Sequence, residues 1–203
     1  MELKMMFIRR ESFQQFIKLY PSVILILIIN SLILIAIKLP LSFSNTIMEY
    51  MLGINIYIKE GQLWRLITPV FLHSTLFHFI FNSFALLLFG PAIEQMLKTT
   101  RFILFYIFCG IGANVITYLI MPPTYTHLGA SGAIYGLIGF YLYLVIYQTQ
   151  LLSRQDAQMI KGLAAFALIM TFLQPNVNVT AHIGGALIGF LLAPLFIKIR
   201  VGA

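Results

Sequence analysis

The sequence predicts an all-α membrane protein, a bundle of six transmembrane helices with an interfacial first loop. The 203 residues are 60% hydrophobic and only 9% charged, with a mean hydropathy of +0.94, whereas a soluble domain carries about 25% charged residues. Six apolar runs approach or reach the roughly 20 residues that a helix needs to cross a bilayer. Because these runs leave no stretch for a soluble domain, residues 1–203 are expected to form a single membrane domain.

The six apolar runs are numbered here as spans 1 to 6 in chain order. They cover about residues 21–39, 72–97, 102–121, 131–147, 159–173 and 181–199. No Ala-x-Ala cleavage site follows span 1, so span 1 is expected to be retained as a helix rather than removed as a signal peptide. The connection at about residues 40–71 contains Trp64, several tyrosines and charges of both signs, which is typical of a segment lying on the membrane surface.

The basic residues cluster on one side of the predicted membrane. Ten of them flank the spans on the side of the two termini: Lys4, Arg9, Arg10, Lys18, Lys98, Arg101, Arg154, Lys161, Lys198 and Arg200. The other side has Lys38, Lys59 and Arg65. The positive-inside rule therefore predicts a multi-pass protein of the cell's inner (plasma) membrane with both termini in the cytoplasm. The basic residues that orient the chain in the membrane explain the net charge of +7, so no nucleic-acid partner is expected.

Four polar residues, Ser131, His182, His78 and Asn82, are predicted to meet near the outer leaflet. With both termini inside, spans 2, 4 and 6 all enter from the outer face. His73 begins span 2, and His78 and Asn82 follow on one helix face because they are spaced i and i+4. Ser131 begins span 4 and His182 begins span 6, so the topology brings both to a similar depth.

Each of these residues also has a structural interpretation. A serine among glycines commonly packs helices, an intramembrane histidine commonly serves as a hydrogen bonder or a proton relay, and an asparagine can join helices. Together they allow acyl transfer, with Ser131 as nucleophile and His182 as its base. Asp156 and Glu94 lie at the opposite face, so the catalytic unit would be a dyad and not a triad.

Small residues would bring spans 4 and 6 together. Gly132, Gly136 and Gly139 give span 4 a small face, and Gly185 and Gly189 follow His182 at i+3 and i+7 on one face of span 6. Such small faces let helices approach closely, which would bring the imidazole to the hydroxyl. Free backbone N–H groups at the start of span 4, with His78 and Asn82, could stabilise an oxyanion.

The serine motif differs from that of soluble hydrolases. Residues 129–133 read G-A-S-G-A, and Ala133 replaces the last glycine of the G-x-S-x-G elbow. That elbow also needs a preceding strand, and no sheet is expected here. The single cysteine, Cys109, excludes an intramolecular disulfide and a cysteine-based zinc site, and neither a metal nor a cofactor is expected.

Three short motifs carry a family resemblance: G-x-S-G at Gly129–Gly132, H-x-x-x-N at His78–Asn82 and A-H-x-x-G at Ala181–Gly185. W-R at Trp64–Arg65 and His73 support them. In this order and on these spans, the set resembles the rhomboid family of intramembrane serine proteases, in its bacterial six-helix form, over nearly the whole chain.

The resemblance implies roles for these residues. Ser131 would be the nucleophile and His182 the general base, with an oxyanion hole formed by the Ser131 N–H, His78 and Asn82. Gly129 would shape the loop ahead of the serine.

The resemblance also assigns supporting positions. Tyr135 would pack its ring against His182, and His73 would support the site. Arg65 and Glu94 match positions that hold loops and helix ends, whereas His127 matches no family role and is expected to be a solvated loop residue.

The implied partners are the lipid bilayer and transmembrane protein substrates, cut near the outer membrane face. A helix shields its amides, so a substrate must unwind locally to present a carbonyl. Two other functions stay open from the sequence. One is a non-catalytic membrane protein that binds helices, and the other is a small transporter with a His/Asn path, which the lack of a mid-membrane carboxylate disfavours.

Overall fold

The computed structural model describes residues 6–7, 9–40 and 42–197. It is a bundle of α-helices, which confirms the predicted fold class. The helices are α1 Phe13–Leu19, α2 Pro21–Lys38, α3 Ser44–Met51, α4 Asn55–Lys59, α5 Leu76–Leu97, α6 Thr99–Ile120, α7 Ser131–Tyr147, α8 Arg154–Leu173 and α9 Val179–Phe196. Two short strands, β1 Gly53–Ile54 and β2 Thr126–His127, and 3-10 turns at Leu63–Leu66, Thr68–Phe71 and Thr149–Leu151 complete the described part.

Six of these helices correspond to the predicted spans. Helices α2, α5, α6, α8 and α9 are long and apolar enough to cross a membrane, and α7 is a shorter apolar helix of 17 residues. Two predicted helix starts differ from the structure by four residues or more. Helix α5 begins at Leu76 rather than 72, because the Thr75 side chain caps it by accepting from His78 N. Helix α8 begins at Arg154 rather than 159, because the Ser153 side chain caps it in the same way.

Three of the ten basic residues that predict the orientation lie outside the described residues. Lys4, Lys198 and Arg200 lie there, as do the last two residues of span 6. Helix α9 ends at Phe196.

The first loop, residues 40–71, is folded around a buried arginine. Arg65 is 3% exposed and donates to the carbonyl oxygens of Glu49 and Leu52 at 2.6 and 2.7 Å. It also donates to Gln62 Oε1 at 2.7 Å, and its guanidinium lies over the Tyr57 ring. Because one side chain bonds several parts of the loop, Arg65 holds α3 against the 3-10 turns.

A two-stranded antiparallel ribbon ties this loop to the segment ahead of α7. Gly53 of β1 pairs with His127 of β2. The Asn55 amide donates to the carbonyl oxygens of Met121 and Pro122, at 3.1 Å each. The expectation that no sheet is present is therefore wrong, because strands of two residues are too short to leave an alternating pattern in the sequence.

A buried carboxylate joins α2 to α5. Glu94 is 2% exposed and accepts hydrogen bonds from Ser22 N and Val23 N at 2.8 and 3.0 Å. These amides belong to the first turn of α2, where backbone donors lack an intrahelical partner. Glu94 therefore satisfies the start of α2 and fixes it against α5.

Helices α7 and α9 pack backbone against backbone, as their glycines predict. A Cβ built on Gly185 would lie 2.0 Å from the Gly132 carbonyl oxygen, and one on Gly189 would lie 2.0 Å from the Gly136 carbonyl oxygen. A Cβ on Gly139 would lie equally close to the Ala186 carbonyl oxygen. Since no side chain fits at these contacts, the glycines set how closely the two helices approach.

Replacing Gly189 by alanine is expected to destabilise the protein by about 3 kcal/mol, because the new Cβ forces the α7 and α9 backbones apart. Thermal unfolding in detergent measures the loss. Gly162→Ala is the matched control, since Gly162 is an exposed glycine of α8 with nothing within 4 Å of its built Cβ. Equal unfolding temperatures for the two variants would contradict the tight contact.

Candidate active site

Ser131 is the first residue of α7, where the sequence predicted a helix start. The N-cap residue is Ala130, which has no side-chain acceptor for the amides of the first turn. The first intrahelical bond in this region runs from Ile134 N to the Ala130 carbonyl oxygen. The N–H groups at Ser131 and the next two residues are therefore available to an anion, at the positive end of the helix dipole.

Gly129 is the point where the His78 ring and the Ser131 hydroxyl come together. Its φ of +120° favours glycine, and its N–H donates to the Pro69 carbonyl oxygen at 2.8 Å. A Cβ built there would lie 2.7 Å from His78 Cε1 and Nε2 and 3.8 Å from Ser131 Oγ. Both the backbone angle and the space at position 129 therefore require glycine.

Asn82 lies one turn below His78 on α5 and is 7% exposed. Its Nδ2 donates to the His78 carbonyl oxygen at 2.9 Å, within the same helix. The amide group carries two hydrogens, so this bond uses only one of them.

His182 lies in the first turn of α9, and its ring is held on one face by Tyr135. The two rings stack at 4.0 Å between centroids with 17° between planes, and His182 is 8% exposed. Asn178 caps α9 by accepting from Ala181 N at 2.9 Å and also donates to Thr117 Oγ1 at 3.1 Å. The cap and the stacked ring together fix where the imidazole lies.

Thr171, which was not predicted from the sequence, contacts the other side of this imidazole. Thr171 Oγ1 lies 3.0 Å from His182 Nδ1, and Thr171 is 2% exposed. The available signal was a hydroxyl near the end of an otherwise apolar span. Hydropathy alone does not show that this hydroxyl faces α7 and α9 rather than lipid.

The candidate nucleophile and base are neighbours across the α7–α9 contact. A Cβ on Gly132 would lie 3.6 Å from the Ala181 carbonyl oxygen, so the residues adjoining Ser131 and His182 touch. Within the part of the chain that the structure describes, Ser131 Oγ and His182 Nε2 make no hydrogen bond. Catalytic hydrogen bonds are often long without substrate. The described residues contain no cluster of three His, Cys, Asp or Glu side chains that could hold a metal ion.

The model of the Rhomboid domain family matches residues 60–199. The Bacillus subtilis (strain 168) protein YdcA, whose name places it among rhomboid proteases, is 42% identical over 193 residues, which cover 95% of this chain and 97% of YdcA. The chain belongs to the rhomboid family. It is a serine protease that acts within the membrane, and a multi-pass membrane protein.

Two further relatives are more distant. The rhomboid protease GluP of the same bacterium is 34% identical over 149 residues, and the match spans 73% of this chain but only 29% of GluP. Rhomboid-like protease 1 of Toxoplasma gondii is 33% identical over 146 residues, spanning 70% of this chain and 50% of that protein.

His73 packs against the rings of His78 and Phe79. It is fully buried ahead of α5, and its ring lies 5.1 Å from that of His78 and 5.7 Å from that of Phe79. His73 therefore packs against one side of the His78 ring.

The expectation for His127 is wrong, because this residue is buried rather than solvated. It is 6% exposed, neither ring nitrogen has a hydrogen-bond partner among the described residues, and a Cβ on Gly53 would lie 2.3 Å from its ring. In the ribbon, the His127 imidazole packs directly against Gly53. Burial lowers the His127 pKa to about 4. Nearby, a cavity of about 160 Å³ is lined by His127, His78 and Ser74 among others.

The protein is expected to lose stability as pH falls from about 6.5 to about 4. His127 binds a proton in the unfolded chain near pH 6.5 but in the folded chain only near pH 4, so the unfolded state holds more protons between these values. Each pKa unit corresponds to about 1.4 kcal/mol, so the free energy of unfolding falls by about 3 kcal/mol over this pH range.

Denaturant unfolding of the protein in detergent at pH 7.5 and pH 4.5 measures this loss. His127→Phe keeps a ring against Gly53 and should reduce the loss, whereas Tyr125→Phe, two residues earlier, should keep it. An unchanged pH dependence in His127→Phe would contradict the assignment.

Proposed function

We propose that this rhomboid cleaves transmembrane-helix substrates near the outer membrane face, through an acyl-enzyme formed by a dyad of Ser131 and His182. The observation that carries the proposal is the fixed imidazole of His182. Tyr135 covers one face of the ring and Thr171 contacts Nδ1, while Nε2 has no hydrogen bond among the described residues. A base whose second nitrogen is free, next to a serine at a helix start, has the arrangement that nucleophilic catalysis needs.

In the proposed acylation step, Ser131 Oγ attacks the carbonyl carbon of the scissile peptide bond and gives its proton to His182 Nε2. The tetrahedral intermediate collapses as the C–N bond breaks, and the protonated imidazole gives this proton to the leaving amine. His182 next takes a proton from water, which attacks the ester at Ser131. Collapse of the second intermediate returns the proton to Ser131 Oγ and releases the carboxyl product.

Three groups around the serine are proposed to stabilise the oxyanion. The Ser131 N–H at the start of α7 has no intrahelical acceptor. The second amide hydrogen of Asn82 and a ring N–H of His78 can add two donors, and the Gly129 contact supports a position for His78 beside Ser131. Donors held in place before reaction stabilise the developing charge without reorganisation.

The proposal that cleavage occurs near the outer face depends on how lysines and arginines are distributed between the two sides of the membrane. Within the described residues, seven of the counted lysines and arginines flank the spans on the side opposite the start of α7, and Lys38, Lys59 and Arg65 lie on the same side as that start. The positive-inside rule supports cytoplasmic termini in the plasma membrane, with Ser131 near the outer surface. A substrate helix is expected to unwind there, because its carbonyls are otherwise hydrogen-bonded and shielded.

Ser131→Ala and His182→Ala should each lower the cleavage of a single-span substrate in liposomes by about 10³-fold or more, because the two groups act as one unit. Mass spectrometry of the products gives the cut site. Ser31→Ala, which removes a hydroxyl bonded within α2, is the matched control and should cleave normally. Cleavage at the wild-type rate by folded Ser131→Ala or folded His182→Ala would contradict the proposed dyad.

The proposed orientation predicts which residues face the outside. Lys59→Cys should react with a membrane-impermeant maleimide in intact cells, and Arg154→Cys only after permeabilisation, since both positions are exposed and lie on opposite sides. The native Cys109 is buried and should add little background. The reverse labelling pattern would place the site at the cytoplasmic face.

A further inference from the structure

A hydrogen-bonded cluster joins α7, α8 and α9 behind the imidazole of His182. Tyr135 Oη lies 2.6 Å from the Ala167 carbonyl oxygen and 2.5 Å from Thr171 Oγ1. Thr171 Oγ1 lies 2.9 Å from the same carbonyl oxygen and 3.0 Å from His182 Nδ1. The four groups therefore form one network that ends at the imidazole.

The Ala167 carbonyl oxygen is an acceptor within reach of both hydroxyls. The Ala167 oxygen can only accept, and the hydroxyls of Tyr135 and Thr171 each have a single hydrogen to donate. Thr171 Oγ1 lies within donating distance of the Ala167 carbonyl oxygen, and when its one hydrogen is used there, Thr171 has none left for His182. The contact between Thr171 Oγ1 and His182 Nδ1 is then made by a hydrogen on Nδ1, which leaves the lone pair on Nε2.

We propose that Thr171 is a positioning residue, which holds His182 as the tautomer with hydrogen on Nδ1 so that Nε2 can accept the Ser131 proton. This proposal rests on the proposed function, because it assigns a third member to the same dyad. In soluble serine hydrolases a carboxylate holds the histidine tautomer and orientation. Here a neutral hydroxyl takes that place, within a bilayer where an unpaired carboxylate would be costly.

The surroundings of Thr171 fit this role better than a packing role. The buried residues of α8 are only Asp156, Ile160 and Thr171, and the two residues after Thr171 are 64% and 70% exposed. A threonine whose hydroxyl returns to the carbonyl four residues earlier is already satisfied within its own helix. Its further contacts with Tyr135 and His182 are therefore not needed to satisfy Thr171.

The test is a pair of substitutions at position 171. Thr171→Val keeps the shape without the hydroxyl, and Thr171→Ser keeps the hydroxyl. Cleavage of a single-span substrate in liposomes should show kcat falling about 10- to 100-fold in Thr171→Val with an unchanged KM, which is the range for losing the hydrogen-bond partner of a metal-bound histidine. Thr171→Ser should restore most of kcat, and Ser31→Ala, which also loses a hydroxyl bond to its own helix, should match wild type.

A second readout does not depend on cleavage. Nitrogen-15 NMR of histidine-labelled protein in detergent, with His182→Gln to assign the signal, should find hydrogen on Nδ1 of His182 in wild type and a mixture of tautomers in Thr171→Val. Thermal unfolding confirms that each variant is folded.

Three results would overturn the proposal: a wild-type kcat in folded Thr171→Val, a loss that Thr171→Ser fails to restore, or hydrogen on Nε2 in wild type. A different result would contradict the proposed dyad itself, namely cleavage at the wild-type rate by Ser131→Ala. The NMR signal still decides the tautomer in that case.

Discussion

The backbone contact between α7 and α9 is the constraint on which the rest of the site depends. A Cβ on Gly185 or Gly189 of α9 would have no room against the carbonyl oxygens of Gly132 and Gly136 of α7. Ser131 comes directly before the first of these contacts on α7, and His182 comes three residues before the first on α9. The register of the glycines therefore determines how the hydroxyl and the imidazole face each other. In a bilayer, where burial of apolar surface does not drive helices together, such close packing is a main source of helix association.

The remaining elements complete this contact at the end of the bundle where α7 begins. The loop held by Arg65 is joined through the β1–β2 ribbon to the segment that leads into α7. Gly129 then turns the chain so that the α7 amides start beside the His78 ring. Helix α8, although largely exposed to lipid, supplies the hydroxyl that contacts the imidazole. The site thus combines a rigid pair of helices with single polar contacts from its neighbours.

Much of this arrangement could be predicted from the sequence, because hydropathy and glycine spacing are one-dimensional signals. They gave the helical membrane class, the six apolar helices and the small faces of α7 and α9. The β1–β2 ribbon could not be predicted, since two-residue strands carry no periodicity. The burial of His127 depends on that ribbon and was missed with it. Thr171 was missed because its partner is eleven residues away on another helix, and only the fold brings the two together.

The most direct test of the central claim is the rate at which a fluorophosphonate probe labels Ser131 in folded Gly189→Ala. Gly189 lies two turns along α9 from His182, and the atoms nearest to a Cβ built on it are backbone atoms of Gly136, so its substitution acts through the spacing of α7 and α9. Labelling should slow by about tenfold or more, because a displacement of about 1 Å at a reacting pair can cost 10²-fold. Gly162→Ala should label at the wild-type rate. Wild-type labelling in Gly189→Ala, at a temperature where it stays folded, would contradict the claim that glycine packing aligns the serine with its base.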